Sequence, residues 1–187
     1  MKKLLLSLSL LTSTFAFTQL TTINPDTVCY QTPGSIYQVT NTPGTTYTWT
    51  VAAPGTITSG QGTNQIGVDW SNAAPGLIPN GVSVVASNGT GCDSPPSTLD
   101  VFILLVNPTI TALGPFCDTD ACVPVTTTPA GGVLTGTGVV GNTFCPQTAG
   151  PGTFTLTYTF TQGGCTFTTT TTVTVNPTPT LSPISHN

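Results

Sequence analysis

The sequence is poor in charge, and above all in positive charge. Lys2 and Lys3 are its only basic residues apart from His186, it has no glutamate, and its six aspartates leave a net charge of −4 at pH 7. Binding to nucleic acid relies on Lys and Arg that neutralise phosphates, and binding to an anionic membrane surface relies on them as well. We therefore expect neither kind of partner, and a fold that forms without Lys or Arg ion pairs.

The chain also lacks the residues from which most active sites are built. Its single histidine, His186, lies beside the end of the sequence, and no Cys-x-x-Cys pair occurs. A Ser-His-Asp triad and a zinc site both depend on such residues. A catalytic carboxylate pair would have to come from the six aspartates. We predict that the protein is not an enzyme and that it has no catalytic residue and no cofactor.

Long apolar runs are missing as well. The longest run after residue 20 is Leu99–Val106, which Asp100 interrupts, and it is far short of the roughly 20 residues of a membrane-spanning helix. At the start, Lys2 and Lys3 precede the short apolar run Leu4–Leu11 and the small residues around Ala16. This pattern predicts a secretory signal peptide over residues 1–19, cleaved near Ala16 to Gln19. The alternative, a membrane anchor, fits less well because Ser and Thr interrupt the run. We expect a secreted protein, extracellular or at the cell surface, with no membrane insertion after cleavage.

The residues that are abundant indicate β-structure. Thr, Val, Ile, Phe and Tyr occur in short runs between Pro and Gly, which is typical of strands joined by turns. In Thr46–Val51 the apolar residues alternate with Thr, and Phe154–Thr161 alternates in the same way. This two-residue period predicts half-buried strands. About seven short strands with turn signals every 8–12 residues are the pattern of an immunoglobulin-like sandwich.

The ending Asn-Pro divides the chain. An apolar strand-type run closes with Asn107-Pro108, and a second one closes with Asn176-Pro177. We therefore predict an all-β protein of two tandem immunoglobulin-like β-sandwiches, covering residues 20–106 and 107–177. Residues 178–187 are either a loose tail or the start of a truncated third module, because residues 176–184 resemble residues 107–116.

Six cysteines in a secreted chain should be mostly paired. Two lie in the first predicted sandwich and four in the second. We pair Cys29 with Cys92, as in an immunoglobulin-like domain with Trp49 near the bridge. Strand alternation turns Cys165 inward, where it could reach Cys117. That leaves Cys122 with Cys145, although four cysteines allow three pairings.

Several residues are candidates for binding. Asp118 and Asp120 lie between Cys117 and Cys122, either as solvated loop carboxylates or as ligands of a calcium ion. Asp69 and Trp70 form either a packed strand end or a carbohydrate contact.

The strand Leu99–Val106 is apolar on both faces, whereas a sandwich strand should have one wet face. We expect Phe102, Leu104 and Val106 to be covered by the second module or by a neighbouring chain. If they are exposed, they become a candidate partner surface.

Two short patterns match glycosylation signals. Thr27 lies in an Asp-Thr-apolar triplet of the O-glycosylation type, and Asn88 begins an Asn-Gly-Thr sequon. The alternatives are the start of a strand at Thr27 and a simple turn at Asn88-Gly89.

Two groups of motifs resemble known surface proteins. The first group resembles a PKD-like domain of Bacteroidota surface proteins and comprises Tyr47-Thr48-Trp49, Ile57–Trp70 and Gly91-Cys92. The second resembles the Ig-like repeat of gliding-motility adhesins and comprises Pro129–Gly132, Gly136–Val139, Phe144, Ala149–Tyr158 and Gly164-Cys165. The resemblance implies a secreted, adhesin-like, multi-domain protein.

Our main hypothesis is a non-enzymatic extracellular pair of structural and adhesion modules. Its partners would be other modules of the same protein or like chains. One alternative is a carbohydrate-binding module that contacts surface glycans through Trp70. Another is the subunit of an extracellular fibre that assembles by strand pairing.

Overall fold

The computed structural model of the chain describes residues 25–186. The predicted signal peptide, residues 1–19, lies outside them. Within the described range no helix is both long and apolar enough to cross a membrane. The described residues form two compact units. The first unit contains residues 25–26, Thr32–Ala73 and Leu77–Val101, and the second contains Thr27–Gln31, Ala74–Gly76 and the chain from Phe102 onward.

Seven strands run from Asp26 to Leu104. They are β1 (Asp26–Cys29), β2 (Ser35–Gln38), β3 (Thr46–Val51), β4 (Thr56–Ser59), β5 (Gln65–Asp69), β6 (Gly76–Ser87) and β7 (Ser97–Leu104). β1, β7, β6 and β3 form one sheet in that order, and β2, β5 and β4 form a second sheet. The expected all-β, immunoglobulin-like architecture is therefore confirmed for this part of the chain.

The alternation of β3 gives the first unit its core. Tyr47 and Trp49 are buried while the threonines between them are exposed. β3 pairs with β6 in antiparallel register, with Trp49 opposite Val84, which is also buried. Ile66 and Val68 of β5 are buried from the other sheet. The two-residue period of the sequence thus correctly predicts which side chains of β3 point inward.

The second unit carries nine further strands and one helical turn. They are β8 (Thr109–Ile110), β9 (Phe116–Cys117), β10 (Val123–Pro124), β11 (Thr127–Thr128), β12 (Val133–Thr135), β13 (Val139–Val140), β14 (Thr143–Phe144), α1 (Pro146–Ala149), β15 (Gly152–Gln162) and β16 (Cys165–Asn176). The main sheet has the order β12-β15-β16-β9, β10-β14-β13 form a second sheet, and β8 pairs with β11.

The β15–β16 hairpin is the longest structure of the second unit. Its eleven paired positions run from Gln162 opposite Cys165 to Gly152 opposite Val175. The two-residue turn Gly163-Gly164 has positive φ at both positions, which glycine adopts without strain. The buried core cluster takes four residues from this hairpin and comprises Val125, Leu134, Phe144, Leu156, Tyr158, Val173 and Val175.

The disulfides differ from the expected pairing. Cys29 is bonded to Cys165, with 5.4 Å between their Cα atoms, and not to Cys92. The expected Cys117–Cys165 pair is therefore wrong too, whereas Cys122 is bonded to Cys145. Cys165 points inward and is 1% exposed, as its alternation indicates.

The physical reason for the different pairing is the position of the segment around Cys29. This segment is tied to the second unit, where the Tyr30 N–H donates to the Leu104 carbonyl oxygen at 2.9 Å. Cys92 instead lies in an exposed turn whose neighbour Ser94 bonds back to Ala86. Cys92 and Cys117 are left as exposed free thiols.

Candidate functional site

Trp70 is a core residue. It is 1% exposed, and a Cβ placed on Gly55 would lie 2.4 Å from its ring. The absence of a side chain at Gly55 therefore makes room for the indole. The interpretation of Trp70 as a carbohydrate contact or partner surface is wrong, because the ring has no free face.

Trp70 begins a chain of buried hydrogen bonds. Its indole N–H donates to the Tyr37 hydroxyl at 3.0 Å, and that hydroxyl is also hydrogen-bonded to the Asp26 carboxylate. Burial, followed by the negative charge of Asp26, raises the pKa of Tyr37 above its usual value. These hydrogen bonds join β1, β2 and the end of β5, and the Tyr37 hydroxyl in the middle stays protonated. Their role is structural, because they link three strands through the buried side chains of Tyr37 and Trp70.

Asp69, the neighbour of Trp70, closes a turn. Its Oδ1 accepts the Ser71 N–H at 2.7 Å. The Ser71 backbone, and then its hydroxyl, holds the pKa of Asp69 below its usual range. The carboxylate thus stabilises the end of β5.

Asp118 and Asp120 act in the same way. Asp120 Oδ2 accepts the Cys117 N–H at 2.7 Å. Asp118 Oδ1 accepts the Thr178 N–H at 2.9 Å and the Thr178 hydroxyl as well. Among the described residues no group of three or more His, Cys, Asp or Glu side chains could hold a metal ion. Asp118 thus fixes the chain that leaves β16, and Asp120 closes the turn that follows β9.

The apolar face at the end of β7 is only partly exposed. Leu104 is 8% exposed, and Phe102 and Val106 are half-buried. A side chain added at Gly163 would lie 3.1 Å from both Leu104 and Thr27. The turn between β15 and β16 therefore covers Leu104, and a large free patch is not present at these three residues.

The two glycosylation candidates are accessible. Thr27 and Asn88 are both exposed. Asn88 Oδ1 accepts the Thr90 N–H at 3.0 Å and the Thr90 hydroxyl at 2.6 Å, which is a closed Asx turn. Modification at either residue stays a prediction.

The first unit also has an open groove of about 410 Å³. It is lined by apolar side chains such as Val39, Val84 and Tyr47, and also by hydroxyl-bearing side chains and Cys92. No carboxylate or imidazole lines it. The lining of the groove is therefore mainly apolar, with neutral polar groups.

The outer edge of β3 is closed by a side chain that its sequence pattern did not reveal. Gln61 accepts the Trp49 N–H at 3.0 Å and donates to the Trp49 carbonyl at 2.9 Å, as a neighbouring strand would. Gly62 makes a two-way backbone bridge to Tyr47. Gly60 permits this bend, because a Cβ there would lie 2.1 Å from the Gln65 carbonyl oxygen.

Among the described residues, the outer edge of β16 has less cover than that of β3. β16 pairs with β15 along its whole length, but on its other side β9 reaches only Val175 and Asn176. Because Cys165 forms the first hydrogen-bonded pair after the two-residue turn, the even-numbered backbone groups of β16 point away from β15. The edge therefore presents the backbone of four exposed threonines, Thr166, Thr168, Thr170 and Thr172.

Comparison with known proteins gives a match for the first part of the chain. Residues 16–101 match the family model of the PKD-like domain. No curated protein matches the chain. Among solved structures the chain is similar to the titin domains Z1Z2 in complex with telethonin, at 16% identity and a TM-score of 0.31, over 87% of this chain and 96% of that one.

Proposed function

We propose that the chain is a non-enzymatic structural and adhesion module pair of an extracellular surface protein. The observation that carries this proposal is the PKD-like match over residues 16–101 in a chain whose candidate site residues have structural roles. Trp70 is buried, and Asp69, Asp118 and Asp120 cap backbone groups. The two disulfides suit an oxidising, extracellular setting.

Surface location and adhesion can be tested together on the producing cell. Protease treatment of intact cells should remove the protein, and Fab fragments raised against it should reduce cell attachment to a surface. Fab fragments against an unrelated surface protein are the control. Full protection from protease, or attachment that Fab binding leaves unchanged, would contradict the proposal.

A fibre subunit is the second candidate, and the open edge of β16 favours it. Strand edges are usually guarded by charges, prolines or bulges, whereas the even-numbered positions of this edge from Thr166 to Thr172 are all threonine. We name residues 177–186 the exit segment. It is exposed and has no helix or strand, and its Leu181 and Ile184 are 95% and 103% exposed.

The prolines of the exit segment suit it to pair on one side only. Backbone N–H groups of successive residues in a strand point to opposite edges. Pro177, Pro179 and Pro183 are all odd-numbered, so they remove donors from one edge. The even-numbered donors of Thr180, Ser182 and Ile184 stay in place, while the Thr178 N–H is bonded to Asp118. The occupant that fits the open edge of β16 is therefore the exit segment of a second copy.

Paired proline variants test this docking. Thr180→Pro removes a backbone donor of the exit segment that would face β16, and it should abolish self-association. Leu181→Pro removes a donor that faces away from β16, and this variant should self-associate more strongly than Thr180→Pro. Thr170→Pro blocks the accepting edge without touching the β15 ladder. Sedimentation velocity from micromolar to millimolar protein, with both free thiols alkylated, gives the readout. A monomer throughout, or equal effects of Thr180→Pro and Leu181→Pro, would overturn the docking.

A further inference from the structure

The Cys29–Cys165 disulfide closes a very large loop. The two cysteines are 136 residues apart, and of the described residues only 25–28 precede Cys29 while 166–186 follow Cys165. The loop contains every strand from β2 to β15. It also contains both free cysteines, Cys92 and Cys117, and the whole Cys122–Cys145 disulfide.

We propose that this disulfide makes the protein a force-bearing link in which tension bypasses the folded units. A load applied to the chain before Cys29 and after Cys165 passes through one covalent bond between them. The 136-residue span then carries no tension, since its two ends are fixed to each other. Domains held by noncovalent contacts alone would have to resist the same load by their strand pairing.

The strand that follows the bond completes the load path. β16 begins at Cys165 itself and runs for 12 residues to Asn176. A β-strand already rises about 3.4 Å per residue, close to the maximum reach of the chain. Tension along β16 therefore acts on a nearly extended segment and releases little length.

The Cys29–Cys165 disulfide is poorly accessible to a reductant in solution. Cys165 is 1% exposed and Cys29 is half-buried. The turn residue Gly163 lies against Leu104 and Thr27, and Tyr30 is bonded to Leu104. Disulfide exchange requires access to a sulfur atom, so the packing on both sides of the bond protects the link.

Single-molecule pulling from the two ends of the secreted chain tests the proposal. The oxidised wild-type protein should show no long unfolding event. The double variant Cys29→Ser/Cys165→Ser should release the loop, less the 23 residues that Cys122–Cys145 retains. At about 3.4 Å per residue this corresponds to about 380 Å of added contour length.

Two controls distinguish the bond from a general effect of cysteine loss. Cys122→Ser/Cys145→Ser keeps the load path and should extend as little as the wild type. Cys92→Ser/Cys117→Ser should do the same. A disulfide map of the wild type, made by digestion under non-reducing conditions, gives a readout that needs no variant to fold. The proposal would be overturned if the oxidised wild-type protein released a contour length similar to that of the double variant. A disulfide map with Cys29 bonded to Cys92 would overturn it as well.

Discussion

The two units close their cores by different means. The first unit holds both tryptophans of the chain and none of its disulfides, and it satisfies its buried polar groups through chains such as Trp70–Tyr37–Asp26. The second unit has no tryptophan, and both disulfides join residues that belong to it. One unit therefore depends on large aromatic burial and the other on covalent closure of a core built around Tyr158 and Phe144.

In both units, a buried tyrosine hydroxyl is hydrogen-bonded to the backbone of a loop. In the first, the Tyr47 hydroxyl accepts the Thr42 N–H at 2.7 Å and donates to the Thr40 carbonyl at 3.2 Å. In the second, the Tyr158 hydroxyl accepts the Gly132 N–H at 2.8 Å and donates to the Pro129 carbonyl. Tyr47 thus fixes the loop that precedes its own strand, in the manner of a tyrosine corner, whereas Tyr158 fixes the turn that precedes the neighbouring strand β12. The comparison shows that loop anchoring is common to both units while core closure is not.

Loss of the long-range disulfide should have the largest effect. Cys29→Ser/Cys165→Ser should lower the free energy of unfolding of the second unit by about 3–5 kcal/mol, because the closed loop is long. Calorimetry follows this unit, while tryptophan fluorescence reports the first unit alone, since Trp49 and Trp70 both lie there. Cys92→Ser/Cys117→Ser is the control and should change neither transition by more than about 0.5 kcal/mol. An equal shift of both transitions would break the distinction between the units.

Removal of the buried indole should affect the first unit nearly as strongly. Trp70→Ala opens a cavity and leaves Tyr37 without its donor, at a cost of about 3–5 kcal/mol. Trp49 remains as the fluorescent reporter of chemical denaturation. Ile36→Ala is the matched control, because Ile36 is 67% exposed and its loss should stay within about 0.5 kcal/mol. A small effect of Trp70→Ala would show that the first unit does not depend on aromatic burial.

How far the sequence predicts this structure depends on the range of the interaction. Alternation along β3 and β15 correctly predicts the buried faces of Trp49 and Leu156, because a strand's two faces are fixed by local geometry. It also turns Cys165 inward. The partner of Cys165 does not follow from alternation, because it is decided by where the segment 27–31 lies in the folded chain.

The candidate sites fail for the same reason. Trp70 reads as a possible ligand platform until Gly55 is seen to make room for its ring. Asp118 reads as a possible metal ligand until its partner, Thr178, is found 60 residues away. No sequence pattern indicates a role for Gln61, because its role consists of the two hydrogen bonds that its side chain makes to the Trp49 backbone. Short-range patterns predict the strands. Long-range contacts decide which polar groups are used in the fold and which stay available for binding.

The two loop-anchoring tyrosine hydroxyls should contribute equally to the stability of their units. Tyr47→Phe and Tyr158→Phe each remove a hydroxyl that bonds one backbone donor and one backbone acceptor. Each should cost its own unit about 1–2 kcal/mol, the range for a buried hydrogen bond whose partner is left unpaired. Fluorescence measures the first variant and calorimetry the second. If Tyr158→Phe is much milder than Tyr47→Phe, the disulfides of the second unit make its loop anchor redundant.

Alkaline pH should have the smallest of these effects, a modest loss of stability that is confined to the first unit. The pKa of Tyr37 is raised in the folded protein by burial and by Asp26, so folding favours the protonated phenol. This contribution is complete below the unfolded tyrosine's pKa of about 10 and is lost as the pH rises from there towards the higher pKa of the folded state. Between pH 10 and 11 the first unit should lose about 1 kcal/mol of stability.

Tyr37→Phe is the variant that isolates this effect. It should be less stable than the wild type at neutral pH, because Trp70 and Asp26 lose their partner, but its stability should fall less steeply above pH 10. Tryptophan fluorescence in urea at each pH gives the comparison, with Tyr158→Phe as the matched variant in the other unit. Identical slopes for Tyr37→Phe and the wild type would show that the buried phenol does not set the alkaline limit of the first unit. The contrast between the units would then rest on the disulfides and on the size of the aromatic core.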